Sequence, residues 1–169
     1  MKVGWALVAI VAALALQTAL AGVMLGGTMA VDLVLVAVVS VGLLAGRVTG
    51  LMAGTIAGLA QDALAGGVLG IDGLSKSLAG FLAGIVGTQF IVAQSLPRFV
   101  VFFGGAVLNA VVFMGLYVVL GLRHYDHPFA SLGVQAAVNA LIGVVLFRVL
   151  DLLPGVRERR RFGMKKLRT

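Results

Sequence analysis

Six apolar runs, near 4–25, 30–46, 49–66, 73–93, 99–121 and 129–151, take up almost the whole sequence. A helix rises about 1.5 Å per residue, so roughly 20 apolar residues cross the roughly 30 Å hydrocarbon core of a bilayer. Composition agrees: 61% of the 169 residues are apolar and 11% charged, against about 45–50% and about 25% in soluble domains. With a mean hydropathy of +1.14, the chain reads as an integral membrane protein, not a soluble globule, a disordered chain or a nucleic-acid-binding module. A barrel strand alternates apolar and polar over about ten residues, whereas these runs are continuously apolar for about twice that length. The expected fold is therefore all-α, with six transmembrane helices in one bundle over 1–153 and a basic tail over 154–169.

The breaks between runs carry turn chemistry or charge: Gly26-Gly27, Arg47, Gly66-Gly67 through Gly73, Pro97-Arg98, the stretch from Arg123 to Pro128, and Pro154-Gly155. Pro128 suits the first turn of the sixth helix, where its missing N–H costs nothing, and Asp126 or His127 stands near the cap. Cytoplasmic loops retain Lys and Arg. With both termini inside, all of the 13 Lys and Arg residues except Lys76 and Arg123 fall on the inner side, and both termini are expected to be cytoplasmic. Met1-Lys2 and Ala19-Leu20-Ala21 also raise a cleaved signal peptide, but the first apolar run exceeds the usual signal core.

The tail basic residues Arg157, Arg159, Arg160, Arg161, Lys165, Lys166 and Arg168 have two readings. They form a positive-inside anchor, or a docking segment for membrane lipids or a cytoplasmic partner. The net charge of +7 is thereby explained without nucleic acid.

Small residues pattern the centre of the chain. Gly50, Gly54 and Gly58 recur every fourth residue on the third helix, and Gly80, Gly84 and Gly87 bare a face of the fourth. Such faces admit another backbone closely and serve either packing inside the bundle or association with a partner.

Asp62, on the third helix, lies about 22 Å from the inner face if counted from Arg47, hence about 7–8 Å below the outer boundary. Lys76 reaches a comparable depth on the fourth. An isolated charge there is costly, so Asp62 and Lys76 are expected to be paired or otherwise hydrogen-bonded. Asp72 competes for Lys76 across one helical turn. Three roles stay open for Asp62: a structural pair or helix-turn cap, a proton or ion site, and a polar contact to a partner.

Asn109 and Asn139 each fall about 15 Å deep, where a mutual hydrogen bond would fix the packing of the last two helices. Gln17 and Gln135 extend a polar lining toward the outer leaflet, and a small-ligand pocket is the alternative use of these amides. Arg148 and Asp151 are spaced to neutralise each other.

Catalytic chemistry finds no foothold. There is no cysteine for a thiolate or a disulfide, and His124, Asp126 and His127 offer metal-ligand atoms on a short loop without a further fixed ligand. No phosphate loop, no histidine base beside a serine and no paired carboxylates within a span occur. Neither an enzyme nor a cofactor is expected.

The stretch from Val48 to Gly84, VTGLMAGTIAGLAQDALAGGVLGIDGLSKSLAGFLAG, resembles the rod shape-determining protein MreD family. The likeness rests on Gly54, Gly58, Asp62, Gly66, Leu69, Gly70 and Leu74, with Gln17, Asp32 and Asn139 fitting the wider pattern and Val31 departing from it. It implies a non-enzymatic component of the bacterial elongation machinery in the inner membrane. Such a component binds MreC, a single-span protein, and helps couple MreB filaments to RodA and a penicillin-binding transpeptidase in peptidoglycan synthesis. The family fold is also similar to substrate-binding components of energy-coupling-factor vitamin transporters, which supplies the competing expectation of a small-molecule transporter component. Against that, the outer connections, about five to eight residues long, are short for a lid over a pocket.

Overall fold

The computed structural model describes residues 2–21, 31–66, 68–89, 95–121 and 128–152. Six helices follow one another: α1 (Lys2–Ala21), α2 (Leu33–Ala45), α3 (Arg47–Ala65), α4 (Ile71–Gln89), α5 (Ser95–Val119) and α6 (Pro128–Leu152). No strand occurs among the described residues. Each helix matches one apolar run to within a few residues, and α6 opens on Pro128 as its fixed φ favours. Leu96–Val119 is the one described helical run long and apolar enough to cross a membrane by that measure alone. Gly4–Ala19, Leu33–Ala45 and Gly133–Val149 are shorter apolar helices.

The bundle is built around α2, which touches each of the other five helices. Its residues from Val34 to Gly42 are all buried, which is why this helix is apolar all round. Two cores lie on its two sides. Val34, Val38 and Val41 pack with Ala6 and Ile10 of α1 and Ala53 and Ala57 of α3. Leu35, Val36 and Val39 pack with Ala79, Ala83, Phe102, Ala106, Ala136, Ala140 and Phe147 from α4, α5 and α6. On that second side Arg98 of α5 is buried, its guanidinium 4.7 Å from the centre of the Phe147 ring, within cation–π range.

One residue, Gly46, joins α2 to α3. Its φ of 95° and ψ of 175° fall in a region open essentially to glycine alone. The reversal lays α3 against both α2 and α4.

The α3–α4 hairpin is the closest helix pair, and glycine makes it so. A Cβ on Gly50 would overlap the Gly80 carbonyl, one on Gly54 the Lys76 carbonyl, and one on Gly58 the Asp72 carbonyl. From the other helix, Gly80 meets the Gly50 carbonyl and Gly84 the Arg47 backbone. The bare faces of α3 and α4 are thus filled by each other's backbone. Across the same seam the hydroxyls of Thr55 and Ser77 lie 2.6 Å apart.

Candidate functional site

Two helices, α2 and α4, begin inside the bundle, and the first N–H groups of any helix have no partner within it. Where water is excluded those donors must be met by side chains. The polar residues of the sequence gather around these two helix starts.

At α4 the acceptor is Asp62, 5% exposed near the end of α3. Its Oδ2 accepts the Gly70 N–H at 2.8 Å and the Gly73 N–H at 3.4 Å, and its Oδ1 accepts the Asp72 N–H at 3.3 Å. The Ile71 N–H goes to the Val68 carbonyl at 3.4 Å. Every donor from Gly70 to Gly73 is therefore satisfied. Gly70 has no side chain of its own to cap the helix, so a carboxylate from the neighbouring helix does it, and its charge also favours the positive end of the α4 dipole. The turn is closed from the α3 side by Gly66, in the left-handed conformation with φ 65°, whose N–H bonds the Asp62 carbonyl.

At α2 the caps come from three helices. Asp32 Oδ1 accepts the Leu35 N–H at 2.8 Å. Gln17 Oε1 of α1 accepts the Val34 N–H at 3.2 Å, and Asn139 Oδ1 of α6 accepts the Asp32 N–H at 3.0 Å.

Lys76 ties the two starts together. Its side chain is fully buried, with Nζ 2.9 Å from Asp32 Oδ2 and 2.7 Å from Asp72 Oδ1. Of the expected alternatives, the mutual Asp62–Lys76 pair does not form: Asp62 is hydrogen-bonded to backbone N–H groups as a cap, and the lysine bridges Asp72, the competitor one turn away, and Asp32. Asp32 is the member that a reading of spans overlooked. It opens the second run at the outer side, the level at which Lys76 was already placed, so matching charges by depth would have found it.

The expected Asn109–Asn139 hydrogen bond does not form either. Asn139 turns its carbonyl to the Asp32 N–H, and the Asn109 carbonyl is buried without a partner. Both asparagines instead line one cavity of about 260 Å³, to which every helix contributes: Gln17, Asp32, Gln61, Asp72, Asn109, Phe113, Met114, Gln135 and Asn139 are among its walls. Gln61, whose carbonyl is also unpartnered, is a second residue passed over, because beside Asp62 it reads as a mere neighbour.

The remaining sites divide by exposure. Gly50, Gly54, Gly58, Gly80 and Gly84 are buried in the hairpin seam, whereas Gly66 and Leu69 are exposed on its tip beside the half-buried Gly70. Leu64, Leu69 and Leu74 are 64%, 68% and 50% exposed there. The tail from Arg157 to Arg168, the residues His124, Asp126 and His127, and the Asp151 side chain lie outside the described residues. No group of three or more His, Cys, Asp or Glu able to hold a metal occurs among the described residues.

No curated protein and no solved structure matches the chain. The family model for rod shape-determining protein MreD matches residues 2–154, which takes in all six helices and both capped helix starts. The chain belongs to the MreD family, a membrane family with a role in rod shape determination.

Proposed function

We propose that the chain is a non-enzymatic scaffold of the cell-elongation machinery, which binds an MreC-like single-span protein and helps couple the MreB cytoskeleton to RodA and a penicillin-binding transpeptidase. Family membership supports the setting. The observation that carries the docking role is the α3–α4 turn: its backbone is held by Asp62 and its helices by a glycine seam, while Leu64, Leu69 and Leu74 stand out on its surface. A preorganised apolar tip lowers the ordering cost of binding a partner helix. The six helices then span the inner membrane with both termini inside, and the tail anchors to anionic lipid or a cytoplasmic partner.

The cavity keeps a second reading in view, the substrate-binding component of a vitamin transporter of the energy-coupling-factor type. At about 260 Å³ it falls below the roughly 300–1,000 Å³ of sites that enclose drug-sized ligands, which favours the scaffold.

Affinity purification from native membranes into nanodiscs tests the proposal, with wild type and a Leu64→Ser/Leu69→Ser variant compared at equal folded yield. Recovery of an MreC-like protein by wild type and its loss with the variant is the expected result. Equal recovery by both removes the turn from the interface, and recovery of ATPase subunits with a bound vitamin moves the chain to the transporter class.

A further inference from the structure

The cavity beside the two helix starts has acceptors that no donor meets. Asp72, on the cavity wall, spends Oδ1 on Lys76. The carbonyl oxygens of Gln61 and Asn109, both on the cavity wall, are buried with no partner at all, and Asn109 is only 9% exposed. Leaving one buried acceptor unmet is unfavourable, and two around one cavity call for an explanation. The carboxyl groups point the same way: Asp32 and Asp72 both face the single ammonium of Lys76, so a second cation can be accommodated beside them.

We propose that this cavity is a binding site for a small primary ammonium group, whose N–H donors meet the Asp72 carboxyl group and the Gln61 and Asn109 carbonyls and whose charge sits beside the two carboxyl groups. An ammonium has three donors and no acceptor, which suits these acceptor oxygens. Anions are excluded by the carboxylates. A bare metal ion would leave most of the volume to water, since about 260 Å³ is far more than one water or ion needs. An aminoethyl group fits in that space. It has two sources, a soluble amine or the ethanolamine headgroup of a lipid.

The test uses the full chain in nanodiscs and follows the unfolding midpoint, which a ligand of the native state raises. One arm titrates ethanolamine against ethylene glycol, the neutral molecule of nearly the same shape, in phosphatidylglycerol nanodiscs. The other compares nanodiscs containing phosphatidylethanolamine with ones containing phosphatidylcholine, whose ammonium has charge but no N–H. A saturable rise with ethanolamine and none with ethylene glycol supports a soluble ligand. A higher midpoint with phosphatidylethanolamine alone supports the headgroup. In either case Asn109→Leu and Gln61→Leu, whichever keeps the wild-type midpoint without ligand, is expected to weaken the effect at least tenfold. Two results overturn the proposal: wild type that does not distinguish the members of either pair, which leaves a cavity holding water only, or an effect that survives in both variants, which places the amine elsewhere.

Discussion

Asp32 at the start of α2 and Lys76 in the second turn of α4 form a 2.9 Å ion pair, and through it the two helices that begin inside the bundle hold each other in place. Asp32 serves twice, since its other oxygen caps its own helix. Lys76 likewise answers two carboxylates from a position with no exposure.

Removing the cation leaves both carboxylates facing each other without compensation. Breaking a buried pair from one side typically costs about 3–5 kcal/mol, so Lys76→Met is expected to lower the unfolding midpoint sharply in nanodiscs. Adding Asp32→Asn to it should restore part of that loss. A double variant no more stable than Lys76→Met alone would show that the pair is not what the lysine contributes.

Asp62 stabilises one end of the hairpin and not the whole bundle. Asp62→Asn keeps a carbonyl acceptor but loses the charge, an expected cost of about 1 kcal/mol. Asp62→Leu orphans the Gly70, Asp72 and Gly73 N–H groups and should cost more, about 1–3 kcal/mol for each donor left unmet. Hydrogen exchange should accelerate at those three amides in both variants while the amides of α5 stay protected. Uniform acceleration across all helices would contradict the local role.

Glycines of the same helix type should separate cleanly by what lies above them. Gly54→Ala drives its Cβ into the Lys76 carbonyl, whereas at Gly104 and Gly133 nothing lies within 4 Å of an added methyl. Gly54→Ala is expected to destabilise by about 1–3 kcal/mol, and Gly104→Ala or Gly133→Ala to be neutral or stabilising by up to about 1 kcal/mol. Unfolding midpoints of the three variants, measured side by side, check this.

Gly46 makes a different demand, set by its backbone angles. Gly46→Ala meets only the Thr88 methyl at an ordinary 3.7 Å, yet the required φ of 95° should cost about 1–3 kcal/mol. A variant as stable as wild type would mean that the α2–α3 reversal can be made another way.

These contrasts also mark what could be read from the sequence. The helices were legible because each apolar run is itself the signal, and Pro128 and the Gly66 region mark ends by chemistry local to the chain. That Asp62 and Lys76 need partners followed from their places inside apolar runs. Asp72 followed as a partner of Lys76 from their spacing, but the choice for Asp62 did not, because a buried carboxylate can be satisfied as well by backbone N–H groups as by a cation, and only the position of the α4 start decides between them. Spacing likewise showed that Gly50, Gly54 and Gly58 bare one face of α3 but not that α4 fills it. Asn109 and Asn139 share one cavity wall, and the α2 N-terminus, absent from any pairwise count of side chains, claimed the second of them.

The most direct test of the docking role places a photocrosslinking amino acid at Leu69 on the exposed turn and, separately, at Val111 on the exposed face of α5, in cells that express the MreC-like partner. A crosslink to that partner from position 69 and none from position 111 is the predicted result; a crosslink from 111 with none from 69 would contradict the assignment of the α3–α4 turn as the docking surface.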